Sequence, residues 1–154
     1  MRPVSKTSMH KSQSGVGLIE ILIAVLVLSI GFLGIAALQA KSLSTNNSAM
    51  ARSMATVASY SILDAMRADR ANALAGSYNQ TVTANACPAK GTLAQIQLNQ
   101  WCADLGLALS ATAATTGIVN CTATGDCTVT IQFDDSRAGP GGVANQQVIT
   151  RAML

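Results

Sequence analysis

Residues 15–38 read GVGLIEILIAVLVLSIGFLGIAAL, and how this stretch is understood decides the fold. From Ile21 to Leu38 run 18 residues without a charge, and the next charge is Lys41. At 1.5 Å per residue such a run makes about 27 Å of helix, close to the hydrocarbon thickness of a bilayer. One carboxylate, Glu20, stands at its mouth. A charge at mid-membrane costs about 2.5–3.5 kcal/mol, and even near the end of a span it calls for a partner. A cut after Gly15 would create an α-amino group on Val16, four residues before Glu20 and on the same helix face. Amine and carboxylate could then pair within one chain or between packed neighbours.

The flanks agree with a membrane-entering segment. Arg2, Lys6 and Lys11 precede Gly15, and no acid does. That leaves seven of the ten bases against all seven acids from Val16 onward, so the net charge of +3 belongs to the leader. A basic leader predicts that its end of the span stays cytoplasmic. The neutral remainder shows no basic patch of the kind nucleic acid requires. A secretory signal peptide is the rival reading, but its apolar region ends at a small-residue cleavage site. Here the apolar run leads straight into more helix-forming sequence.

From Gln39 to about Ala75 there is neither Pro nor Gly, and Ala, Leu, Met, Arg and Ser favour helix. Leu43, Asn47, Met50, Met54, Val57 and Ser61 recur near every 3.5 residues, and Ile62, Ala65 and Met66 widen the stripe. This stripe is expected to pack on a globular head, with Arg52, Asp64, Arg67, Asp69 and Arg70 mostly exposed. Joined to the apolar run, it makes one helix from about Val16 to about Ala73, roughly 85 Å long. The expected organisation is a leader at 1–15, a membrane helix at 16–38, an amphipathic spine at 39–75 and a head at 76–154.

Gly76 ends the helical signal, and residues 77–86 read as a polar loop with a short strand. A second helix is expected over Thr92–Leu109, with Thr92 as its cap. Leu93, Ile96, Trp101, Leu105 and Leu109 recur there at helical spacing, with Trp101 as core anchor. Cys127, Val129, Ile131 and Phe133 then alternate with Thr128, Thr130 and Gln132, the period of a half-buried strand. Ile118–Ala123 forms a hairpin with it, residues 134–142 form a loop, and Gln147–Leu154 is a third strand. The fold class is α+β: a long N-terminal helix and a small antiparallel sheet head.

Aromatic residues are only 3 % of the chain, so the head has a modest core of the kind that often needs covalent staples. The four cysteines, Cys87, Cys102, Cys121 and Cys127, all lie in the second half. They form no C-x-x-C pair, and no histidine follows His10, which argues against zinc and for disulfides in an exported head. Three connectivities exist; Cys87–Cys102 and Cys121–Cys127 close the shortest loops and are favoured.

Enzymatic readings find little footing. With no histidine beyond residue 10, Ser-His-Asp and Cys-His arrangements are absent from the exported part. Asp134 and Asp135 are adjacent and would point to opposite faces of a strand, so they read as a solvated turn. Gly139, Gly141 and Gly142 follow a strand without the helix start and Lys-Ser/Thr of a phosphate cradle. No metal or cofactor is expected.

The basic leader, Gly15, an apolar first residue, L-I-E at 18–20 and a long apolar helix together resemble the class III signal of type IV prepilins and pseudopilins. The resemblance implies that a prepilin peptidase cuts after Gly15 on the cytoplasmic face and N-methylates Val16. It also implies that Glu20 guides docking into a filament and neutralises a neighbour's new N-terminus. Val16 stands where Phe or Met is usual, and Ala37 stands where major pilins carry a kinking proline. A narrower match is similar to PilV-type minor pilins: SIGFLG at 29–34, DAMRADR at 64–70 and CTVTIQFDD at 127–135, with Ala65, Asp69 and Phe133 departing from the pattern. An alternative start at Met9 would leave the seven-residue leader MHKSQSG.

That resemblance implies a minor pilin held in the inner membrane with a periplasmic head. It would enter a type IV pilus at or near the tip, with other minor pilins and the major pilin as neighbours. Its further implied partners are the peptidase, the inner-membrane assembly platform and a large tip adhesin. A minor pseudopilin of a type II secretion system or a DNA-uptake pilus is the first alternative, which pilin-level motifs do not separate from it. An unprocessed bitopic protein with a ligand-binding periplasmic head is the alternative from another class.

Overall fold

The computed structural model describes Gly15, residues 17–136 and residues 142–154. Its elements run α1 (Leu18–Ala68), α2 (Arg70–Leu74), β1 (Thr81–Thr83), α3 (Leu93–Leu109), β2 (Thr116–Cys121), β3 (Asp126–Phe133) and β4 (Gln146–Met153). The class is α+β, a 51-residue N-terminal helix and a four-stranded antiparallel sheet of order β1-β2-β3-β4. The chain divides into a unit ending at Gln39 and a second from Ala40 to Leu154.

In the first unit, α1 is long and apolar enough to cross a membrane, and none of its apolar window is buried. Leu22, Leu26, Phe32, Leu33 and Leu38 are all exposed. Leu33 and Leu38 are each 72 % exposed, and together these residues make a long apolar surface of the kind that marks a membrane or protein contact.

In the second unit, Ile62, Leu63 and Met66 of α1 share one cluster with Leu98, Trp101 and Leu105 of α3 and with Val119, Val129, Ile131 and Phe133 of the sheet. The stripe expected to make this contact holds only in part: Ile62 and Met66 are buried and Met54 and Ala65 pack against the cluster, but its other apolar members do not. Leu43, Met50 and Val57 are 63 %, 57 % and 66 % exposed, while Ala55, Ser59, Ile62, Leu63 and Met66 are buried. At 100° per residue the two sets lie roughly 200° apart round the helix. Where α3 approaches α1 most closely the reason is steric: Trp101 Nε1 donates to the Ala58 carbonyl at 2.9 Å, which suits small Ala55, Ala58 and Ser59 there, while the larger Ile62, Leu63 and Met66 are buried further along the helix.

Helix α1 also stops earlier than the composition suggests. Asp69 leaves helical geometry at φ −118° and ψ 47°, its carboxylate accepts from the Asn72 side chain and the Tyr78 hydroxyl, and α2 restarts at Arg70. Gly76, at φ +81°, ends α2 where a side chain would be strained.

Thr92 caps α3 in a full capping box with Gln95. Ala94, Leu98, Trp101, Cys102, Leu105 and Leu109 form its buried face, whereas Leu93 and Ile96 are 54 % and 45 % exposed, outside the core expected of them. Residues 77–86 contain β1, which adds a fourth strand to the three read most clearly from alternation. The hairpin β2–β3 turns through Gly125 at φ +98°. Strand β3 alternates buried Cys127, Val129, Ile131 and Phe133 with half-exposed Thr128, Thr130 and Gln132, as period two requires.

Candidate functional site

The candidate site is the start of α1. Gly17 acts as the helix N-cap: its carbonyl accepts from Glu20 N at 3.0 Å and Ile21 N at 3.3 Å, so helical hydrogen bonding begins just past the Gly15–Val16 bond. Gly15 and Gly17 are exposed. Glu20 is the one acid of the first turn and is exposed. A carboxylate there faces the unsatisfied N–H groups and the positive end of the helix dipole, which favours it by about 0.3–1 kcal/mol. That gives Glu20 a local role beside any intersubunit one. Val16 lies outside the described residues, and with it the expected amine–carboxylate pair.

The head holds three polar fastenings. Asp135 is only 6 % exposed, accepts from the Ser48 hydroxyl, and has Arg52 Nη2 at 3.8 Å. This overturns its reading as half of a solvated turn, which fits Asp134 alone: Asp134 is exposed. The signal was present in the alternation, because residues 127, 129, 131 and 133 point inward and 135 continues the series. Ser48 and Arg52, one helical turn apart on α1, receive it. Arg52 also donates to Gln146 Oε1 at 3.0 Å, tying the start of β4 to the same turn.

The second fastening is Tyr78, fully buried, whose hydroxyl donates to Asp69 Oδ2 at 3.0 Å and also meets the Gln97 side chain. Burial, then the hydrogen bond and negative charge of Asp69, push its pKa well above the ordinary tyrosine value. No sequence pattern marked this residue. The third is the pair of disulfides. Cys87 bonds Cys102 and Cys121 bonds Cys127, and no cysteine is free. Cys121 and Cys127 face each other directly in the β2–β3 register.

A groove of about 330 Å³ lies between α1 and α3, lined by Met54, Val57, Ala58, Trp101 and Asp104 among others. Every buried side-chain polar atom among the described residues has a partner, so none is left aimed into this groove. Among the described residues no three His, Cys, Asp or Glu side chains converge as a metal site. Of the glycine cluster, Gly139 and Gly141 lie outside the described residues.

Residues 10–36 match the family model described as the prokaryotic N-terminal methylation motif. The match takes in the end of the leader, the Gly15–Val16 bond, Glu20 and most of the apolar run, and it stops short of the head. It supports a prepilin-type signal of the type IV pilin and pseudopilin kind. No curated protein and no solved structure matches the chain.

Proposed function

We propose that this chain is a minor pilin, a non-catalytic subunit that takes part in priming or assembling a type IV pilus at or near its tip. The observation that carries the reading is the methylation motif at residues 10–36 in register with the apolar window of α1, of which none is buried. A prepilin peptidase cuts between Gly15 and Val16 and methylates the Val16 amine; residues 1–15 are removed. Residues 16–38 then serve first as the inner-membrane anchor, N-terminus cytoplasmic, and later as filament core. Glu20 supplies registry by pairing with a neighbour's Val16 amine.

A second feature supports assembly. Leu43, Met50 and Val57 form an exposed apolar stripe on α1 beyond the residues that the head's own core buries. A helix apolar on both its inner and outer faces is suited to packing against neighbours on one side and its own head on the other. Other minor pilins, the major pilin, the assembly platform and a tip adhesin are the partners this reading implies. A minor pseudopilin of a secretion or DNA-uptake system uses the same chemistry and is separated from a pilus subunit by which machine incorporates it.

The test is to express the chain with and without a prepilin peptidase and weigh it. The expected product lacks residues 1–15 and carries a methyl group on Val16. An unshortened product in the presence of active peptidase sinks the reading in favour of the bitopic alternative. Glu20→Ala is expected to insert and be cut, yet to be missing from sheared filaments; normal incorporation removes the registry role.

A further inference from the structure

The two edges of the sheet are finished differently. Strand β1 is three residues long, and at its end the chain turns back on its outer side through the Thr83–Ala86 bridge, where Ala86 N donates to Thr83 O at 2.8 Å. Strand β4, at the other end, is eight residues long, and among the described residues no strand lies on its far side.

The hydrogen-bond phase of β4 follows from one contact. Leu154 N donates to Gly125 O at 3.0 Å, one step beyond the Asp126–Met153 pair of the register. In an antiparallel ladder bonded and non-bonded pairs alternate, so Gln146, Val148, Thr150 and Ala152 turn their backbone groups to β3. Gln147, Ile149, Arg151 and Met153 therefore turn theirs outward: four donors and four acceptors in a row. Natural sheets blunt such an edge with proline, charged side chains, a bulge or a short strand. Strand β4, QQVITRAM, has no proline, runs unbroken in register with β3 and carries a single charge, Arg151.

The side chains of the same four residues define what would fit. Ile149 and Met153 are 57 % and 62 % exposed, and exposed Arg151 stands between them. Among the described residues Arg151 has no ion-pair partner. A second copy of either edge offers it none, because neither QQVITRAM nor TVT contains an acid. We infer that the free edge of β4 takes up an extended segment of another polypeptide, paired antiparallel, with an acidic residue opposite Arg151 and apolar residues opposite Ile149 and Met153. This inference stands apart from the pilin reading: it needs only the head and survives a failed peptidase test.

The test uses the full-length protein in detergent micelles and a fluorescent heptapeptide, Leu-Thr-Glu-Thr-Val-Thr-Gln. In antiparallel register its Leu faces Met153, its Glu faces Arg151, its Val faces Ile149 and its Gln faces Gln147. Anisotropy is expected to saturate, and replacing the peptide's Glu by Lys to weaken binding about ten-fold. Arg151→Glu should reverse that preference, so that the Lys peptide binds better. Ile149→Pro, which removes an outward N–H and no bond to β3, should lower affinity for both peptides. Equal binding of the two peptides, no reversal with Arg151→Glu, unsaturated titration, or β4-dependent self-association in place of peptide binding overturns the inference.

Discussion

Trp101 packs over Gly117 so closely that a β-carbon at position 117 would lie 2.7 Å from the ring Cζ3 and 2.8 Å from Leu105 Cδ1. The indole cannot back away without giving up its bond to the Ala58 carbonyl, which also holds α3 against α1. Gly117→Ala is therefore expected to overpack this junction and destabilise the head by about 1–3 kcal/mol. Denaturant titration followed by the fluorescence of the one tryptophan measures it; an unchanged midpoint would mean that the junction relaxes freely.

The Asp135 fastening is expected to respond asymmetrically. Removing the carboxylate strands the half-buried Ser48 hydroxyl and frees the chain after β3, so Asp135→Ala should cost about 1–3 kcal/mol. Arg52 is about half exposed, and its removal leaves the Ser48 bond in place, so Arg52→Ala should cost under about 1 kcal/mol. Equal losses in the two variants would show that the ion pair, not the hydroxyl bond, carries the contact.

Tyr78 predicts an alkaline dependence. Its folded-state pKa is raised, so above the ordinary tyrosine value of about 10 the unfolded chain releases this proton first. The contribution to stability is present below about pH 10 and declines as pH rises beyond it. Melting curves across that range should fall more steeply for the wild-type chain than for Tyr78→Phe. The variant itself, which leaves Asp69 and Gln97 without their shared partner, should lose about 0.5–1.5 kcal/mol at neutral pH.

The disulfides should contribute unequally. Cys87–Cys102 spans 15 residues and Cys121–Cys127 spans six. Loop-closure entropy assigns them about 3 and about 2 kcal/mol. Replacing each pair by alanine and comparing unfolding midpoints tests the order. A reversed order would point to packing of Cys121 beside the Met66 sulfur, 3.6 Å away, as the larger effect.

Much of this molecule is legible without coordinates because its signals are local. An unbroken apolar run has only a helix in which to satisfy its backbone once water is excluded, so α1 and its membrane-type first half follow from residues 18–38. Alternation through Cys127–Phe133 specifies β3, Thr92 with Gln95 specifies the start of α3, and two short loops favour the observed cysteine pairing. The Gly15, Val16 and Glu20 constellation is likewise a matter of spacing along one chain.

What only tertiary structure decided are the relations between distant elements. Apolar spacing picked Ile62 and Met66, which do face the head, together with Leu43, Met50 and Val57, which do not; where Trp101 approaches, small Ala55, Ala58 and Ser59 face inward instead. Asp135 looks like a surface acid until Ser48 and Arg52, more than eighty residues earlier, are brought to it. That β4 stands at an edge with no strand beyond it among the described residues follows from the strand order, a property of the whole head. Local sequence determines which backbone each segment adopts; steric fit and hydrogen-bond pairing between segments determine which faces meet and which remain open to a partner.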